Sequence, residues 1–254
     1  MDPLPRFSYS QGRARTSPPP RAIRRGSGDG SADQRGYDRP VPTIGFVHTV
    51  LSLPPTFAEL AAELAPDADV FHIVDETLLG NTRKEGSLSA TTRRRVLGYV
   101  ESAAEAGADL VVVTCSSIGP AVDASHEFVD VPVLRIDEAM ADEAVRIGSK
   151  VGVLATLSTT LEPTAQLVQR RGDVEVVARV CDGAFDALSA GDRDRHDELV
   201  RDGLRQLIAE VDVVVLAQAS MARVVETLEE SERSVPLLSS PRLGMERAAQ
   251  LLRA

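Results

Sequence analysis

The sequence predicts an α/β protein built from two similar parallel-sheet lobes, and three observations predict it. Short apolar, β-branched runs alternate with helical stretches over most of the 254 residues, which is the pattern of βαβ units rather than of hairpins. The runs lack polar alternation, as strands covered on both faces do. The pattern also occurs twice. IGFVHTVLSLPPTFAEL from Ile44 lies over VGVLATLSTTLEPTAQL from Val151, with Gly45 on Gly152, Thr49 on Thr156, Ala58 on Ala165 and Leu60 on Leu167. DVFHIVD from Asp69 answers VVARVCD from Val176, and VPVL at Val131 answers VPLL at Val235. ADLVVVTCSSIGP from Ala108 answers VDVVVLAQASMAR from Val211, which puts Cys115 opposite Gln218 and Ser117 opposite Ser220. An internal repeat is read before any single motif. Here it implies two copies of one half, with their strand-end loops facing each other across a pseudo-twofold axis.

Taken in order, Thr43 to His48 reads as a strand, and Pro54 and Pro55 open a helix through Leu64, since proline suits a first helical turn. Asp69 to Val74 is a second strand. DETLLGNTRKEGSLS, with two glycines and many polar groups, reads as a loop over the site. Thr91 to Ala106 has helical periodicity and stops at Gly107. Leu110 to Val113 is the third strand, a helix begins at Pro120, and Val131 to Ile136 is the fourth strand. After a linking helix to Ile147, the second copy places strands at Lys150–Leu154, Val174–Val180, Val211–Leu216 and Val235–Leu238. Right-handed crossovers make each copy a flavodoxin-like half, with helices on both faces of its sheet. The expected division is 41–136 plus 235–254 for the first lobe and 137–234 for the second, with the site between them.

Residues 1–40 have a different composition, rich in Arg, Pro, Ser and Gly without periodicity. They read as a disordered tail, because such a segment buries too little apolar area to offset its ordering entropy. Eight arginines against four aspartates make the tail basic, so the chain's net charge of −10 is carried by an acidic body. That disfavours nucleic acid as a partner. No apolar run approaches a membrane span, and two cysteines, Cys115 and Cys181, fit a reducing cytoplasm better than a disulfide scaffold. A homodimer is the expected assembly, being the commonest closed one.

The chemistry gathers where strand three ends. Thr114, Cys115, Ser116 and Ser117 put three hydroxyls and a thiol at the carboxyl end of a buried strand, where open parallel sheets keep their ligand crevices. A free cysteine is often merely a buried small hydrophobe, and that reading suits Cys181. Cys115 instead sits among hydroxyls beside an expected helix start, which lowers a thiol's pKa. His48 ends the neighbouring strand and is the candidate to trade a proton with Cys115. ATLSTT at Ala155 supplies Thr156 and Thr159, which either cap a helix or hold a carboxylate. No spacing suggests a metal site and no glycine-rich phosphate loop is present.

VVVTCSS after strand three, VLATLST opening the second copy and VPVLRIDEA between them resemble the aspartate/glutamate racemase superfamily. That superfamily also holds hydantoin racemases, maleate isomerases and arylmalonate decarboxylases. The resemblance implies a cofactor-independent enzyme acting on a small carboxylate held between two lobes, with one cysteine taking a proton from carbon and a second returning it on the opposite face. It carries the first cysteine to Cys115 and the second position to Gln218. His48 stands where glutamate racemases have an aspartate. An amide is not a proton donor or acceptor of the required kind, so the expected chemistry is one-base. Cys115 and His48 are the catalytic candidates, and Ser116, Ser117, Thr156, Thr159, Gln218 and Ser220 the substrate-binding ones. A single-cysteine lyase, decarboxylase or hydrolase is the alternative within enzymes, and a non-catalytic small-anion binding protein the alternative outside them.

Overall fold

The computed structural model describes residues 41–253; the expected tail lies outside them. Two four-stranded parallel sheets form the core. In the first, β1 (Thr43–His48), β2 (Asp69–Val74), β3 (Leu110–Val113) and β4 (Val133–Arg135) run in the order β2-β1-β3-β4. In the second, β5 (Lys150–Ala155), β6 (Glu175–Val180), β7 (Val213–Leu216) and β8 (Leu237–Ser239) run in the order β6-β5-β7-β8. The two orders are the same, as the repeat requires. Val47 pairs with Val113 and Leu154 with Leu216, so in each lobe the loops after the first and third strands leave the sheet side by side. The chain reverses its winding direction between those strands, which makes this the crevice of a doubly wound sheet.

Helices cover both faces. α1 (Leu53–Leu64), α2 (Glu76–Glu85), α3 (Ala90–Glu105) and the single turn α4 (Gly119–Val122) belong to the first copy. α5 (Glu138–Ile147), α6 (Ser158–Arg171), α7 (Ala184–Ser189), α8 (Arg193–Ile208), α9 (Ala222–Glu226) and α10 (Ser240–Leu251) follow. Successive residues of β1 and β3 point to opposite faces, as the pleat demands. Ile44, Phe46, Leu110 and Val112 pack with α1 and α10, while Val47, Val111 and Val113 pack with Val96, Val100 and Ala103 of α3. None of the described helices is long and apolar enough to cross a membrane.

Two expectations need correction. The stretch after β2 is helix α2 rather than a loop. Asp75 caps it by accepting from the Thr77 N–H at 2.9 Å, and Gly86 ends it at φ 71°, a left-handed conformation that glycine adopts without strain. The block 235–254 does not go to the first lobe as a unit. β8 pairs with β7 and closes the second sheet, just as its repeat mate β4 closes the first. Only α10 crosses over, burying Met245, Ala248 and Ala249 against β1 and β3. Its close approach requires Gly244, where a Cβ would lie 2.5 Å from the Ile136 carbonyl oxygen.

Candidate active site

Cys115 follows β3 with extended backbone (φ −125°, ψ 117°) and opens the 3₁₀ turn Ser116–Ile118. Thr114, Ser116, Ser117 and Ile118 are all buried, and Cys115 alone in that run keeps partial exposure. The helix expected after it is the single turn α4, too short to exert the dipole of a full helix. Burial pushes the thiol pKa up, against the expectation of a lowered value. Four groups oppose the burial: the Thr49 hydroxyl, the backbone N–H groups of Ser117 and Ile118, and the Ser117 hydroxyl. The resting sulfur is therefore protonated, and the donors around it stand ready for the anion.

Thr49 was absent from the expected set. It follows β1 on the face that Cys115 shares, and its Oγ1 is buried with no oxygen or nitrogen partner among the described residues, which leaves the Cys115 sulfur to receive its proton. A buried unpaired hydroxyl is costly. The repeat held the signal, since it lays Thr49 over Thr156. Thr156 makes the equivalent contact in the second lobe: its N–H donates to Gln218 Oε1 at 2.7 Å, and Gln218 Nε2 donates to its Oγ1 at 2.8 Å. Thr49 with Cys115 and Thr156 with Gln218 are matching pairs.

His48 does not join the thiol. It is fully buried, with Nδ1 2.8 Å from Thr114 Oγ1 and Nε2 2.9 Å from His72 Nδ1. Thr114 Oγ1 donates to the Val47 carbonyl at 3.2 Å. That assigns the His48 proton to Nδ1, donating to Thr114, and leaves Nε2 to accept from His72. The ring stacks on Phe46 and His72, on the α1 side of the sheet, whereas Cys115 packs on the α3 side. Alternation along the strand separates them. Burial, then the neighbouring His72, lower the His48 pKa to about 4. Between that value and 6.5 the unfolded chain holds a proton that the native chain lacks, so stability is present above this window and is lost as pH falls through it. The loss amounts to about 3 kcal/mol. His48→Asn is expected to reduce proton uptake on unfolding near pH 5 by about one. Urea melts across this range check it, and identical pH slopes for variant and wild type would refute it.

The remaining candidates meet at the loop from Ala155 to Thr160. Ser117 Oγ lies 2.7 Å from Thr160 Oγ1, a buried contact between the lobes. Thr159 Oγ1 is buried without a partner among the described residues. α6 begins behind Leu157, which has no side-chain cap to offer, so its first N–H groups keep their affinity for an anion. Ser116 is buried beside Cys115, and Ser220 is half-buried in the 3₁₀ turn Ala219–Met221. Among the described residues no group of three or more His, Cys, Asp or Glu could hold a metal ion.

Arg135 was also missed. Its side chain is 1% exposed. It grips Asp137 through Nε and Nη2 at 3.1 and 3.0 Å, and Asp123 through Nη1 at 3.3 Å. Burial opposes the charge, but Asp137 and Asp123 outweigh it and the pKa is raised. The guanidinium lies under the Cys115 loop, where a Cβ on Gly119 would stand 2.5 Å from its Cζ. Asp123 also takes Arg170 of α6 at 3.2 Å. Only the sequence LRID carried any trace of this network.

A family model described as Asp/Glu/Hydantoin racemase matches residues 47–248. Among solved structures, a glutamate racemase from Bacillus anthracis has a TM-score of 0.64 at 17% identity, covering 84% of this chain and 82% of its own. An allantoin racemase from Klebsiella pneumoniae has a TM-score of 0.60 at 20% identity, covering 84% and 88%. The aspartate racemase of Picrophilus torridus has a TM-score of 0.62 at 14% identity, covering 82% and 94%. At these identities the likeness shows the fold. No curated protein matches the chain by sequence.

Proposed function

Since the chain belongs to the Asp/Glu/hydantoin racemase family, we propose that it is a cofactor-independent isomerase-type enzyme that moves one proton at the carbon beside the carboxylate of a small acid, with Cys115 as the proton carrier. The observation that carries this is the mismatch between the two equivalent pairs. The first lobe offers a partly exposed thiol beside the Thr49 hydroxyl, which no oxygen or nitrogen of the described residues engages, while the second offers Gln218 tied to Thr156 at both ends of its amide. One side of the substrate meets acid/base chemistry. The other meets a neutral amide.

In the exchange step the Cys115 thiol first gives its proton to water, the thiolate takes the α-proton as the C–H electron pair passes into the carboxylate as an enediolate, and the S–H, after trading its proton with solvent, returns one to the same face. The carboxylate is held by the Thr159 hydroxyl and the uncapped first turn of α6, with Ser116 and Ser220 at the margins. One such donor is typically worth ~2.7–4 kcal/mol in the transition state. A second reading is favoured by the raised thiol pKa. A protonated Cys115 would quench the carbanion left when a substrate loses carbon dioxide: the C–C bond breaks, its electron pair stays on carbon and takes the S–H proton, and water reprotonates the sulfur.

Glutamate and aspartate, the acids in the names of structural neighbours, are the first compounds to incubate with the protein in deuterated water, with allantoin, which carries no carboxylate, as a comparison. Deuterium entering with configuration retained supports the one-base reading. Inversion as fast as exchange overturns it, release of carbon dioxide moves the assignment to a lyase, and a protein that neither exchanges nor converts any acid it binds is not an enzyme of this type.

Gln218→Cys should add the missing base. The new thiol would stand beside the Thr156 hydroxyl as Cys115 stands beside Thr49, and chiral chromatography should detect racemisation of an acid that the wild type only exchanges. The rate will be modest, since a misplacement of about 1 Å can cost about 10²-fold. Retained configuration in the variant would mean that position 218 does not reach the reacting carbon.

A further inference from the structure

We propose that Thr160 is a positioning residue for Cys115: across the lobe boundary its hydroxyl donates to Ser117, so that the Ser117 hydroxyl gives its own proton to the sulfur. The inference rests on the reading of Cys115 as the proton carrier and adds how that thiol is made competent. Three observations carry it. The Ser117 and Thr160 hydroxyls are buried, at 1% and 3% exposure, and only 2.7 Å apart. Ser117 lies in the turn that Cys115 opens, and its hydroxyl favours the thiolate. Thr160 lies in the first turn of α6, a helix of 14 residues, whereas the first lobe offers only the single turn α4 behind the sulfur.

The direction of the bonds follows from charge. A thiolate can only accept, so the Ser117 proton must point to it, and Ser117 Oγ must then accept from Thr160. The three groups form a series in which each hydroxyl polarises the next. The groups that act on the sulfur, Thr49 from the end of β1 and Ser117 and Ile118 from its own turn, are all neutral. No charge stands in for a lost donor.

The test reads the thiol without any substrate. In the full-length Cys181→Ala background, the rate of iodoacetamide alkylation from about pH 7 to about pH 11 gives the Cys115 pKa, because only the thiolate reacts. Thr160→Val keeps the shape and removes the hydroxyl. It should raise the pKa by about one unit and slow alkylation roughly tenfold at pH values below the pKa. Thr160→Ser should restore the wild-type value. Ser117→Ala breaks the series from the other side and should raise the pKa at least as far, which keeps the test decisive if Thr160→Val folds poorly. Thr164→Val, a buried change in the same helix whose hydroxyl donates to the Thr160 carbonyl, should leave the pKa unmoved. A wild-type pKa in Thr160→Val or in Ser117→Ala, or an equal shift in Thr164→Val, would overturn the proposal. A shifted thiol in a protein that exchanges no acid keeps the linkage and removes the proposed reaction. An exchange activity that needs Cys115 but a thiol indifferent to Thr160 does the reverse.

Discussion

Cys115→Ser is expected to reduce proton exchange at the substrate carbon by about 10²–10⁴-fold, the usual worth of a positioned acid or base, while Cys181→Ala stays within about twofold of wild type. A serine hydroxyl in the same place has donors around it but no base to ionise it: His48 has both ring nitrogens engaged with Thr114 and His72. The two cysteines differ in what surrounds them. Cys181 is buried in the apolar core of the second lobe, and burial, then Asp182, push its pKa to about 11. Its sulfur lies 2.6 Å from where a Gly203 Cβ would stand, so it fills space against α8. Deuterium exchange followed by mass spectrometry, with near-ultraviolet circular dichroism as a fold check, measures the effect. A Cys115→Ser protein retaining more than about a tenth of the exchange rate would remove the thiol from the mechanism, and equal losses at both positions would mean that packing rather than chemistry is being read.

How far the site was legible depended on how local its determinants are. The repeat carried the topology, down to details that the expected domain division ignored: VPLL matched VPVL, so β8 had to close its own sheet, as it does. Cys115 was legible because an apolar run that ends in thiol and hydroxyls breaks the pattern of a strand. Its electrostatics were not, since GP promised a helix and delivered one turn, and the long helix whose first turn meets the Cys115 loop is α6, from the other lobe. His48 was chosen for its chemistry, yet the pleat turns it to the opposite face and gives the sulfur its neighbour Thr49. A polar, glycine-containing stretch after β2 looked like a loop because Gly80 hides the helix. There is open space around Gly80, so its presence costs α2 little more than propensity, about 1 kcal/mol.

The largest loss of stability is expected at Arg135, which illustrates what a sequence cannot display. Arg135→Met should destabilise the fold by about 3–5 kcal/mol, because it leaves Asp137, itself 1% exposed, as an uncompensated buried charge. For a unit of this size that lowers the melting temperature by roughly 10 °C. Asp137→Leu should cost a similar amount. The double variant should recover most of it, since a buried pair repays little more than its own desolvation, and Asp123 is left half-exposed with Arg170 as a partner. Thermal melts of the four proteins give the coupling; additive losses would show that the pair does not act as a unit. Activity should not recover in parallel. The guanidinium plane supports the backbone at Gly119, in the loop that carries Cys115 and Ser117, and a methionine chain does not reproduce a flat support. A shift of that loop by about 1 Å can cost about 10²-fold in rate, so the double variant should melt near the wild type and still exchange at least about tenfold more slowly. Full recovery of both properties would make Arg135 a matter of charge balance alone.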